Sequence, residues 1–408
     1  MRYRVIHVIG TMEVGGGAGH LLALVPALRR EGFDVEVLTG VMGRTGRRMQ
    51  DAGVPVTVLG PLSSSALPRL VRRFRRQHPD LIHLHGSRAG FLGSVAAWVA
   101  RTPAPLIYTA HAFSFKRVLP GPLRWGATVA ERVTGRLVDT IICVALADAR
   151  AAAARGIVAK HVEVIPNGID LFALTAEARN DVQHDGHSEA LVIGMIARLV
   201  PDKDPLTFVR AAAGVAVRRP AARFLVVGDG PLRREVEAES RRLGLSDRLR
   251  VTGFRDDVPA LLVGMDIIVL PSRWEGLPLA VLEAMALGKP VVCSRLPTLQ
   301  EILDDGRAGV LVPPGDPWAL ADVLVELADD PTRRAALGRA ARDRVLEAYT
   351  VDRMVVRTLG VYRRALAHRG SNAGSGEHAE RGWEVGGARL LTNPGGRAGI
   401  PSDGGPHA

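Results

Sequence analysis

Residues 266–285 read DIIVLPSRWEGLPLAVLEAM, and this stretch decides the fold. Its first part, Asp266 to Leu270, is a short apolar run that predicts a buried strand. Pro278 stands where a helix would begin, because proline is favoured in the first helical turn, and an apolar helical pattern follows it. A buried strand that passes through a short loop into a helix is the repeating unit of a parallel α/β sheet.

The same rhythm extends over most of the chain. After the first half it restarts with the apolar runs LVIGMIA, RFLVVG, LRVTG, PVVCS and GVLVPP, which alternate with helical segments. Two parallel sheets are therefore expected, each covered by helices on both faces. The strands predicted in the first half are Arg4 to Ile9, Val35 to Thr39, Val56 to Leu59, Leu81 to Leu84, Leu106 to Thr109, Thr140 to Val144 and Val162 to Ile165.

A polar segment, TAEARNDVQHDGHS at residues 175–188, separates the two series and has the composition of a linker. The last residues are rich in glycine and poor in apolar periodicity, which is typical of a flexible tail without function. The predicted organisation is an N-terminal Rossmann-like domain at 1–174, the linker at 175–188, a C-terminal Rossmann-like domain at 189–348, a helix returning to the first domain at 349–367 and the tail at 368–408.

The composition narrows the class of protein. With 47% hydrophobic residues and no uncharged apolar run near the ~18 residues that cross a bilayer, the chain has the character of a globular protein. Cys143 and Cys293 lie in apolar runs, which disfavours a disulfide or metal framework and fits a reducing cytoplasm. The net charge of +11 indicates acidic partners, although the arginine, alanine and glycine bias weakens that inference.

One basic stretch, LVRRFRR at residues 70–76, lies in a predicted helix. It is either a solvated helix face or a patch that contacts anionic lipid.

A glycine-rich loop, Thr11 to His20, follows the first strand and includes Gly16 and Gly17. Backbone amides of such a loop and the start of the next helix can approach an anion closely. The loop matches neither the P-loop pattern nor a dinucleotide fingerprint, so a simple tight turn is the alternative.

Two basic residues, Arg198 and Lys203, follow the strand LVIGMIA in the loop IARLVPDKDP. A guanidinium fork and an ammonium group five residues apart suit the two phosphates of a diphosphate, while exposure to solvent is the alternative. The same loop contains Asp202-x-Asp204, which looks like a divalent-metal motif. We reject that interpretation because the basic neighbours oppose a cation, and Asp202 can instead cap a turn or the following helix.

The helix after Pro278 offers a second anion site, because the amides of Leu279 and Ala280 have no partner in a preceding turn. Glu283 lies four residues further on, roughly 6 Å along the axis, within reach of a ribose. Glu275, just before the helix, can accept hydrogen bonds from sugar hydroxyls. An exposed loop acid and an ordinary helix residue are the alternative interpretations.

Three histidines follow or occupy strands of the first half. His111 comes directly after a strand and is expected to face the cleft between the domains, or to be a buried, hydrogen-bonded histidine. His83 and His85 share one strand face, but the sequence shows no third or fourth metal ligand. A structural or acceptor-lining role is expected for them.

Arg198, Lys203, Glu275 and Glu283, with the phrase EGLPLAVLEAM, strongly resemble glycosyltransferase family 4. The resemblance covers about residues 1–367 and implies the GT-B fold, in which two Rossmann-like domains face each other across a cleft and C-terminal helices close back on the first domain. Supporting phrases are IPNGID at 165–170, VVGDGP at 226–231, VTGFRDDV at 251–258, HLHGS at 83–87 and TAHAF at 109–113.

The resemblance also implies roles for single residues. Arg198 and Lys203 would stabilise the nucleotide diphosphate, Glu275 would orient the donor sugar, and Glu283 would bind the ribose. His111 would contact the transferred sugar, and with Glu275, Arg198 and Lys203 it makes the catalytic group. The remaining donor contacts are assigned to Gly16, Gly17, Gly228, Phe254, Arg255, Gly276, Leu279 and Ala280, with the base received near Phe254 and Arg255.

The implied activity is transfer of a sugar, with retention of anomeric configuration, from a UDP- or GDP-linked donor to a glycan or lipid-linked acceptor in cell-surface polysaccharide or glycolipid synthesis. No cofactor and no metal are expected, nucleic acid is not an expected partner, and the expected location is cytoplasmic, with a peripheral contact to the inner face of the membrane through the basic N-domain surface.

Two other functions are compatible with the sequence. A nucleotide-sugar epimerase on the same scaffold would release product without an acceptor. The other is a noncatalytic protein that binds nucleotide-sugars or nucleic acid. Salt-sensitive binding of nucleic acid that nucleotide-sugars do not displace would identify it.

Overall fold

The computed structural model of the protein describes residues 2–116, 120–180, 190–371, 383–385 and 388–390. It contains a seven-stranded and a six-stranded sheet, whose neighbouring strands run parallel, and a two-stranded antiparallel pair. The expected two-domain α/β fold with parallel sheets is confirmed.

The first sheet has the strand order β3-β2-β1-β4-β5-β6-β7. Its central strands are almost entirely buried, as expected for a parallel sheet covered on both faces. The order reverses between β1 and β4, so the loops that follow these two strands open a crevice at the carboxyl edge of the sheet. The strands are β1 Arg4–Ile9, β2 Asp34–Thr39, β3 Val56–Val58, β4 Leu81–His85, β5 Leu106–Ala110, β6 Thr140–Cys143 and β7 His161–Val164.

Helices cover both faces of this sheet and close two apolar cores. One core packs α1 and the C-terminal helix against the sheet, and the other packs α3, α4 and α6 against the opposite face. The helices of the first half are α1 Gly16–Arg30, α2 Gly43–Asp51, α3 Leu67–Gln77, α4 Ser87–Ala100, α5 Gly121–Leu137, α6 Leu146–Ala153 and α7 Leu171–Asn180.

The second sheet has the order β10-β9-β8-β11-β12-β13 and reverses between β8 and β11. Its strands are β8 Val192–Ile196, β9 Arg223–Val227, β10 Leu249–Gly253, β11 Ile267–Leu270, β12 Val291–Ser294 and β13 Val310–Val312. The remaining elements are α8 Pro205–Arg218, α9 Arg233–Arg242, α10 Val258–Val263, α11 Leu279–Ala286, α12 Pro297–Ile302, α13 Pro317–Asp329, α14 Pro331–Ala348, α15 Val351–Ser371, β14 Trp383–Val385 and β15 Ala388–Leu390.

The last helix, α15, returns to the first domain as expected. At its start, the amide of Val351 donates to the carbonyl of Ile169 at 3.0 Å, and the amide of Ile169 donates to the carbonyl of Tyr349 at 2.8 Å. Leu359 and Tyr362 of α15 are buried in the core that α1 shares with the first sheet. Helix α15 is therefore part of the N-terminal domain.

Two of the expected boundaries fall elsewhere in the structure. The polar segment predicted as a linker from Thr175 begins inside α7, because Asp170 accepts the amide of Ala173 at 2.9 Å and Leu174 and Ala178 are buried. Residues 181–189 of that segment lie outside the described part. The predicted tail begins at 368, whereas α15 continues to Ser371 and two three-residue strands pair further on; the rest of the tail lies outside the described residues.

Among the helices that the structure describes, each is too short or too polar to span a lipid bilayer.

Candidate active site

The charged residues singled out in the sequence lie where the second sheet reverses its strand order. Arg198 and Lys203 follow β8, and Glu275 follows β11, the strand beside it. Because the carboxyl ends of parallel strands meet at one edge of a sheet, the two loops are neighbours in space although more than 70 residues apart in sequence. The structure thus brings these three predicted site residues into one crevice.

Lys203 and Glu275 form a close ion pair. The ammonium group of Lys203 donates to both carboxylate oxygens of Glu275 at 2.5 and 2.6 Å, and the hydroxyl of Ser272 donates to one of them at 2.6 Å. Only 4% of the Glu275 side chain is exposed. Removal of the ammonium group would therefore leave a buried carboxylate with a single hydroxyl donor, which is a costly arrangement.

Arg198 is in a different state from Lys203. Its side chain is exposed, and within the described part of the chain it takes part in no hydrogen bond or ion pair. Its five N–H donors are thus available to an anion.

The two aspartates of the same loop, Asp202 and Asp204, make contacts within the protein. Asp204 accepts from the guanidinium of Arg273 and from the hydroxyl of Thr207, both at 2.9 Å, and Asp202 offers its backbone carbonyl to the amide of Arg273. Asp202 lies in a short 3-10 turn, and Asp204, rather than Asp202, occupies the N-cap of α8. In the described part of the chain neither carboxylate joins a group with metal-binding geometry.

Helix α11 begins at Leu279, directly after Pro278, as the sequence predicts. The first amides of the helix, those of Leu279 and Ala280, have no preceding turn to bond to, so they could donate to an anion. Glu283 is partly buried on this helix, and burial, followed by the negative charge of Glu177, raises its pKa to about 7.

The two domains touch at the centre of the cleft. A Cβ atom at Gly276 would lie 2.1 Å from the carbonyl oxygen of His111, and one at Gly19 would lie 2.7 Å from the side chain of Leu279. A Cβ at Gly17 would lie 3.2 Å from the ring of His111. The glycine-rich loop, His111 and the loop before α11 therefore form one continuous site, and glycine is needed at 276 for this close approach.

The region expected to receive the base lies at the ends of β9 and β10. Gly228 has φ +139°, and a Cβ there would lie 1.9 Å from the carbonyl oxygen of Ala197, so only glycine fits. The guanidinium of Arg255 pairs with Asp257, while the ring of Phe254 is partly exposed.

An N-domain residue that the sequence did not reveal reaches this region. Arg44 of α2 lies over the Phe254 ring at 4.6 Å and pairs with Asp256 at 2.5 Å. The residues are more than 200 positions apart, and no local pattern marks such a contact.

In the described part of the chain, His111 belongs to a cluster of five histidines. The sequence showed no third ligand beside His83 and His85, and the structure corrects this: His7 of β1 lies beside both, and His20 of α1 lies beside His85 and His111. The neighbouring strands β1 and β4 carry His7, His83 and His85, and His111 directly follows the adjacent strand β5. The grouping therefore depends on strand order and on the packing of α1, which periodicity does not reveal. Two groups, His7/His83/His85 and His20/His85/His111, have the proximity that a metal ion would need.

The rings are joined by hydrogen bonds to one another. His111 Nε2 lies 3.2 Å from His85 Nδ1, and His85 Nε2 lies 2.9 Å from His7 Nδ1. Tyr362 of α15 follows, with its hydroxyl 3.4 Å from His7 Nε2 and 2.7 Å from His83 Nδ1. His83 Nε2 then meets the hydroxyl of Thr109 at 2.7 Å. The predicted structural role of His83 and the hydrogen-bonded state of His111 agree with these contacts, although His111 is only half-buried.

Burial makes all five rings weak bases. It lowers the pKa of His7 to about 3, with a smaller contribution from His20, and lowers that of His20 to about 4. The pKa values of His83, His85 and His111 are likewise lowered well below the usual range by burial and then by neighbouring imidazoles. The cluster is therefore neutral at pH 7.

Comparison with known proteins agrees with this geometry. Residues 14–171 match the family model described as Glycosyltransferase Family 4, and residues 190–330 match the one described as Glycosyl transferases group 1. The D-inositol 3-phosphate glycosyltransferase of Arthrobacter sp. (strain FB24) is 31% identical over 380 residues, covering 81% of this chain and 86% of that protein.

Two further comparisons extend the match. The Escherichia coli UDP-Gal:alpha-D-GlcNAc-diphosphoundecaprenol alpha-1,3-galactosyltransferase is 28% identical over 313 residues, covering 73% of this chain and 78% of the relative. The crystal structure of Anabaena HepE in complex with UDP and glucose superposes with a TM-score of 0.77 at 23% identity, covering 89% of this chain and all of that one, which shows the shared fold. The chain therefore belongs to glycosyltransferase family 4, is a glycosyltransferase, and has the GT-B fold of that family.

Proposed function

We propose that the protein transfers a sugar from a nucleoside-diphosphate sugar, UDP- or GDP-linked, to a glycan or lipid-linked acceptor with retention of anomeric configuration. The single observation that carries the proposal is the crevice at the strand-order reversal of the second sheet. It combines an unpaired Arg198, the Lys203–Glu275 pair and the open start of α11.

The chemistry of this crevice suits departure of a nucleotide diphosphate. As the bond between the sugar C1 and the phosphate breaks, negative charge grows on the leaving oxygen. Arg198, Lys203 and the first amides of α11 are positive groups held by the fold, and preorganised groups of this kind stabilise such charge without reorganisation. Lys203 would share its protons between Glu275 and the phosphate.

The sugar itself would lie between the two domains. Glu275 is oriented by Lys203 and Ser272 and can accept from sugar hydroxyls, while His111 approaches from the first domain, where its carbonyl packs against Gly276. We propose front-face attack, in which an oxygen of the leaving phosphate takes the acceptor proton. Product anomeric configuration, read by NMR, tests this step, and an inverted product would refute it.

The acceptor class is suggested by the relatives. The Escherichia coli relative is named for a GlcNAc-diphosphoundecaprenol acceptor and a UDP-galactose donor, and the Arthrobacter relative for inositol phosphate. We propose a lipid-linked saccharide as the acceptor, and a role in cell-surface polysaccharide or glycolipid synthesis at the cytoplasmic face of the membrane.

The activity is tested by incubating the protein with UDP- and GDP-linked sugars, with and without a GlcNAc-diphosphate-linked lipid, in the presence of EDTA. We expect nucleotide release that depends on the acceptor and persists in EDTA, since transfer is proposed to need no metal. Appearance of an epimer without acceptor would identify an epimerase instead. Loss of transfer in EDTA, restored by a divalent cation, would contradict the metal-independent mechanism.

We also propose a peripheral membrane contact on the first domain. A groove of about 550 Å³ between α3 and the end of α4 is lined by Leu67, Pro68, Val71, Arg72, Arg75, Arg76 and Val99. The exposed arginines beside an apolar floor match an anionic bilayer surface, at about 1 kcal/mol per basic residue.

Vesicle sedimentation tests this contact. Replacing Arg72, Arg75 and Arg76 by Gln should lower binding to phosphatidylglycerol vesicles by about 100-fold. Gln at Arg333, Arg339 and Arg342, three exposed arginines of α14, is the matched control and should have little effect. Equal losses in both triple variants would show only a response to net charge.

A further inference from the structure

A continuous hydrogen-bond chain connects the cleft with the C-terminal helix. Its members are buried except His111, which is half-buried, and its contacts are 3.2, 2.9, 3.4, 2.7 and 2.7 Å long in order from the cleft inward. The chain runs through His111, His85, His7, Tyr362, His83 and Thr109.

The positions of the protons along this hydrogen-bond chain depend on one another. A neutral imidazole carries one N–H and one bare nitrogen, and a phenol donates one proton, so each member donates to one neighbour and accepts from the other. If one ring reverses, each of its neighbours must reverse as well. The chain therefore has only two proton arrangements, one with all donors directed toward the cleft and one with all donors directed away from it.

The two arrangements differ at the cleft. His111 Nδ1 is buried and has no hydrogen-bond partner among the described residues. With donors directed inward, Nδ1 is a bare acceptor, and with donors directed toward the cleft it carries the proton.

The protonation state of His20 indicates which of the two proton arrangements is present. Its Nδ1 lies 2.9 Å from Oδ1 of Asn167, an oxygen that can only accept, so the proton of His20 is on Nδ1 and its Nε2 is bare. Nε2 is also buried and without a partner among the described residues, and the His20 ring meets the His111 ring edge-on with centroids 4.9 Å apart. Two bare nitrogens side by side would leave two unsatisfied buried acceptors, whereas one N–H and one bare nitrogen complement each other.

We propose that this hydrogen-bond chain, with Tyr362 as its positioning residue, holds His111 as the Nδ1–H tautomer beside the bare Nε2 of His20. When the donor binds and the space between these two buried nitrogens opens, one hydroxyl of the transferred sugar accepts from His111 and donates to His20. The contact to the sugar rests on the proposed function, and the tautomer does not. His20 becomes a specificity-determining residue, since an N–H beside a bare nitrogen fits a hydroxyl, which both accepts and donates.

Nitrogen-15 NMR of histidine-labelled protein in EDTA tests the tautomer without any donor. The two nitrogens of a neutral ring have very different shifts, and the His111 signals are assigned by their absence in His111→Gln. We expect His111 protonated at Nδ1 in the unmodified protein. In Tyr362→Phe, His7 Nε2 loses its donor, and His111 should become a mixture of tautomers. An Nε2–H His111 in the unmodified protein, or an unchanged His111 in Tyr362→Phe, would overturn the proposal.

Variants at other positions provide controls. Tyr349→Phe removes the hydroxyl of another buried tyrosine outside the chain and should leave His111 unchanged. Thr109→Val removes the donor at the far end of the chain and should repeat the effect of Tyr362→Phe, while Thr109→Ser should restore the unmodified signals. This pair keeps the test decisive if Tyr362→Phe does not fold.

Kinetics then test the sugar contact. Tyr362→Phe should lower kcat for transfer by about tenfold, the value of one hydrogen bond, with little change in KM. His20→Gln should lower transfer from donors that carry the hydroxyl and spare the corresponding deoxy-sugar donor. If the deoxy donor suffers equally, His20 does not contact the sugar, and the tautomer result stands by itself.

Discussion

Among single residues, the two proposed phosphate ligands, Arg198 and Lys203, differ in their environment. Lys203 already neutralises the buried carboxylate of Glu275 when no donor is bound, whereas Arg198 is exposed and available. We therefore expect Lys203 to contribute to stability as well as to donor binding, and Arg198 to contribute to donor binding alone.

This difference predicts separable effects of two substitutions. Arg198→Ala and Lys203→Ala should each lower kcat/KM by about 10²- to 10³-fold, because each removes a group that stabilises the leaving phosphate. Lys203→Ala should also lower the free energy of unfolding by about 3 kcal/mol, since a buried carboxylate loses its partner. Arg198→Ala should change stability by less than about 0.5 kcal/mol. Chemical denaturation measures both values.

The double variant Lys203→Ala/Glu275→Gln is the control. It removes the buried charge together with its partner, so it should recover most of the stability and none of the activity. If stability stays low in the double variant, the ion pair is not the cause of the loss.

Glu283 gives a second prediction, on pH. Burial raises the pKa of this carboxyl from its ordinary 4.5 to about 7, so between these two pH values the folded state holds a proton that the unfolded state has released. Its contribution to stability is therefore present below pH 4.5 and is lost as pH rises through 7. Glu283→Gln should stabilise the donor-free protein at pH 8 by about 2 kcal/mol and have little effect near pH 4.5.

The same variant should bind the donor more weakly, because the expected ribose contact loses a charged acceptor. Thermal shift with and without UDP at both pH values measures this. Glu235→Gln, at an exposed position of α9, is the control. A gain in stability that is equal at both pH values would show that the raised pKa is not its source.

The sequence predicted the positions of those charged residues that a local strand-loop-helix pattern places. Arg198, Lys203 and Glu275 follow strands and fall together because strand ends share an edge, which a strand-loop-helix pattern foretells. Arg44 and Tyr362 escaped prediction because each meets its partners across more than 200 positions, and an arginine or tyrosine on a helix is usually unremarkable.

At the scale of elements, α15 is the unexpected contributor. The sequence predicted a helix that returns to the first domain, and apolar periodicity sufficed for that. It did not predict that the helix would supply a polar group, Tyr362, to the interior of the first sheet. Periodicity marks which face of a helix is buried and carries no information about which buried hydroxyl meets which histidine.

The packing of α15 predicts a contrast between two of its residues. Leu359 is 4% exposed in the core shared with α1, and Val356, on the same helix, is 67% exposed. Leu359→Ala should lower the free energy of unfolding by about 2–4 kcal/mol through a cavity, and Val356→Ala by less than about 0.5 kcal/mol. Urea denaturation followed by circular dichroism distinguishes them, and similar small losses would mean that α15 is not firmly docked.

Strand positions were the best predicted feature of the fold. All seven strands of the first sheet begin within one residue of the predicted start, and β1 has the predicted bounds. Short β-branched runs flanked by turn residues are a strong local signal. The polar segment after residue 175 was harder to interpret. Composition indicated a connection, but a capping aspartate and two buried apolar side chains make its first six residues helical.

For the molecule as a whole, we expect the histidine cluster to be the main determinant of stability in acid. The folded-state pKa values of His7 and His20 are lowered to about 3 and 4, and the other three are also lowered, so the unfolded chain binds more protons below about pH 6.5. Each such group costs up to about 1.4 kcal/mol per pH unit as pH falls toward the folded-state pKa. Five together can outweigh the opposite contributions of Glu131 and Glu283, whose pKa values are raised.

We therefore expect the midpoint of thermal unfolding to fall steeply between pH 6.5 and pH 5. His83→Gln removes one buried imidazole and should reduce this slope, although it lowers stability at pH 8. His78→Asn, at an exposed position, should leave the slope unchanged. Equal slopes in all three proteins would mean that the cluster does not control acid unfolding.

The anchoring of Tyr362 in the first domain has a consequence for recombination between related enzymes. A chimera that joins the acceptor-side half of one protein to the nucleotide-binding half of another at the single crossover near residue 189 would take its last helix from the wrong parent. The foreign helix would have to supply a phenol at the correct position between His7 and His83. Exchange of acceptor specificity by domain shuffling thus requires two crossovers, the second near Thr350, so that residues 351–371 are inherited with the sheet they complete.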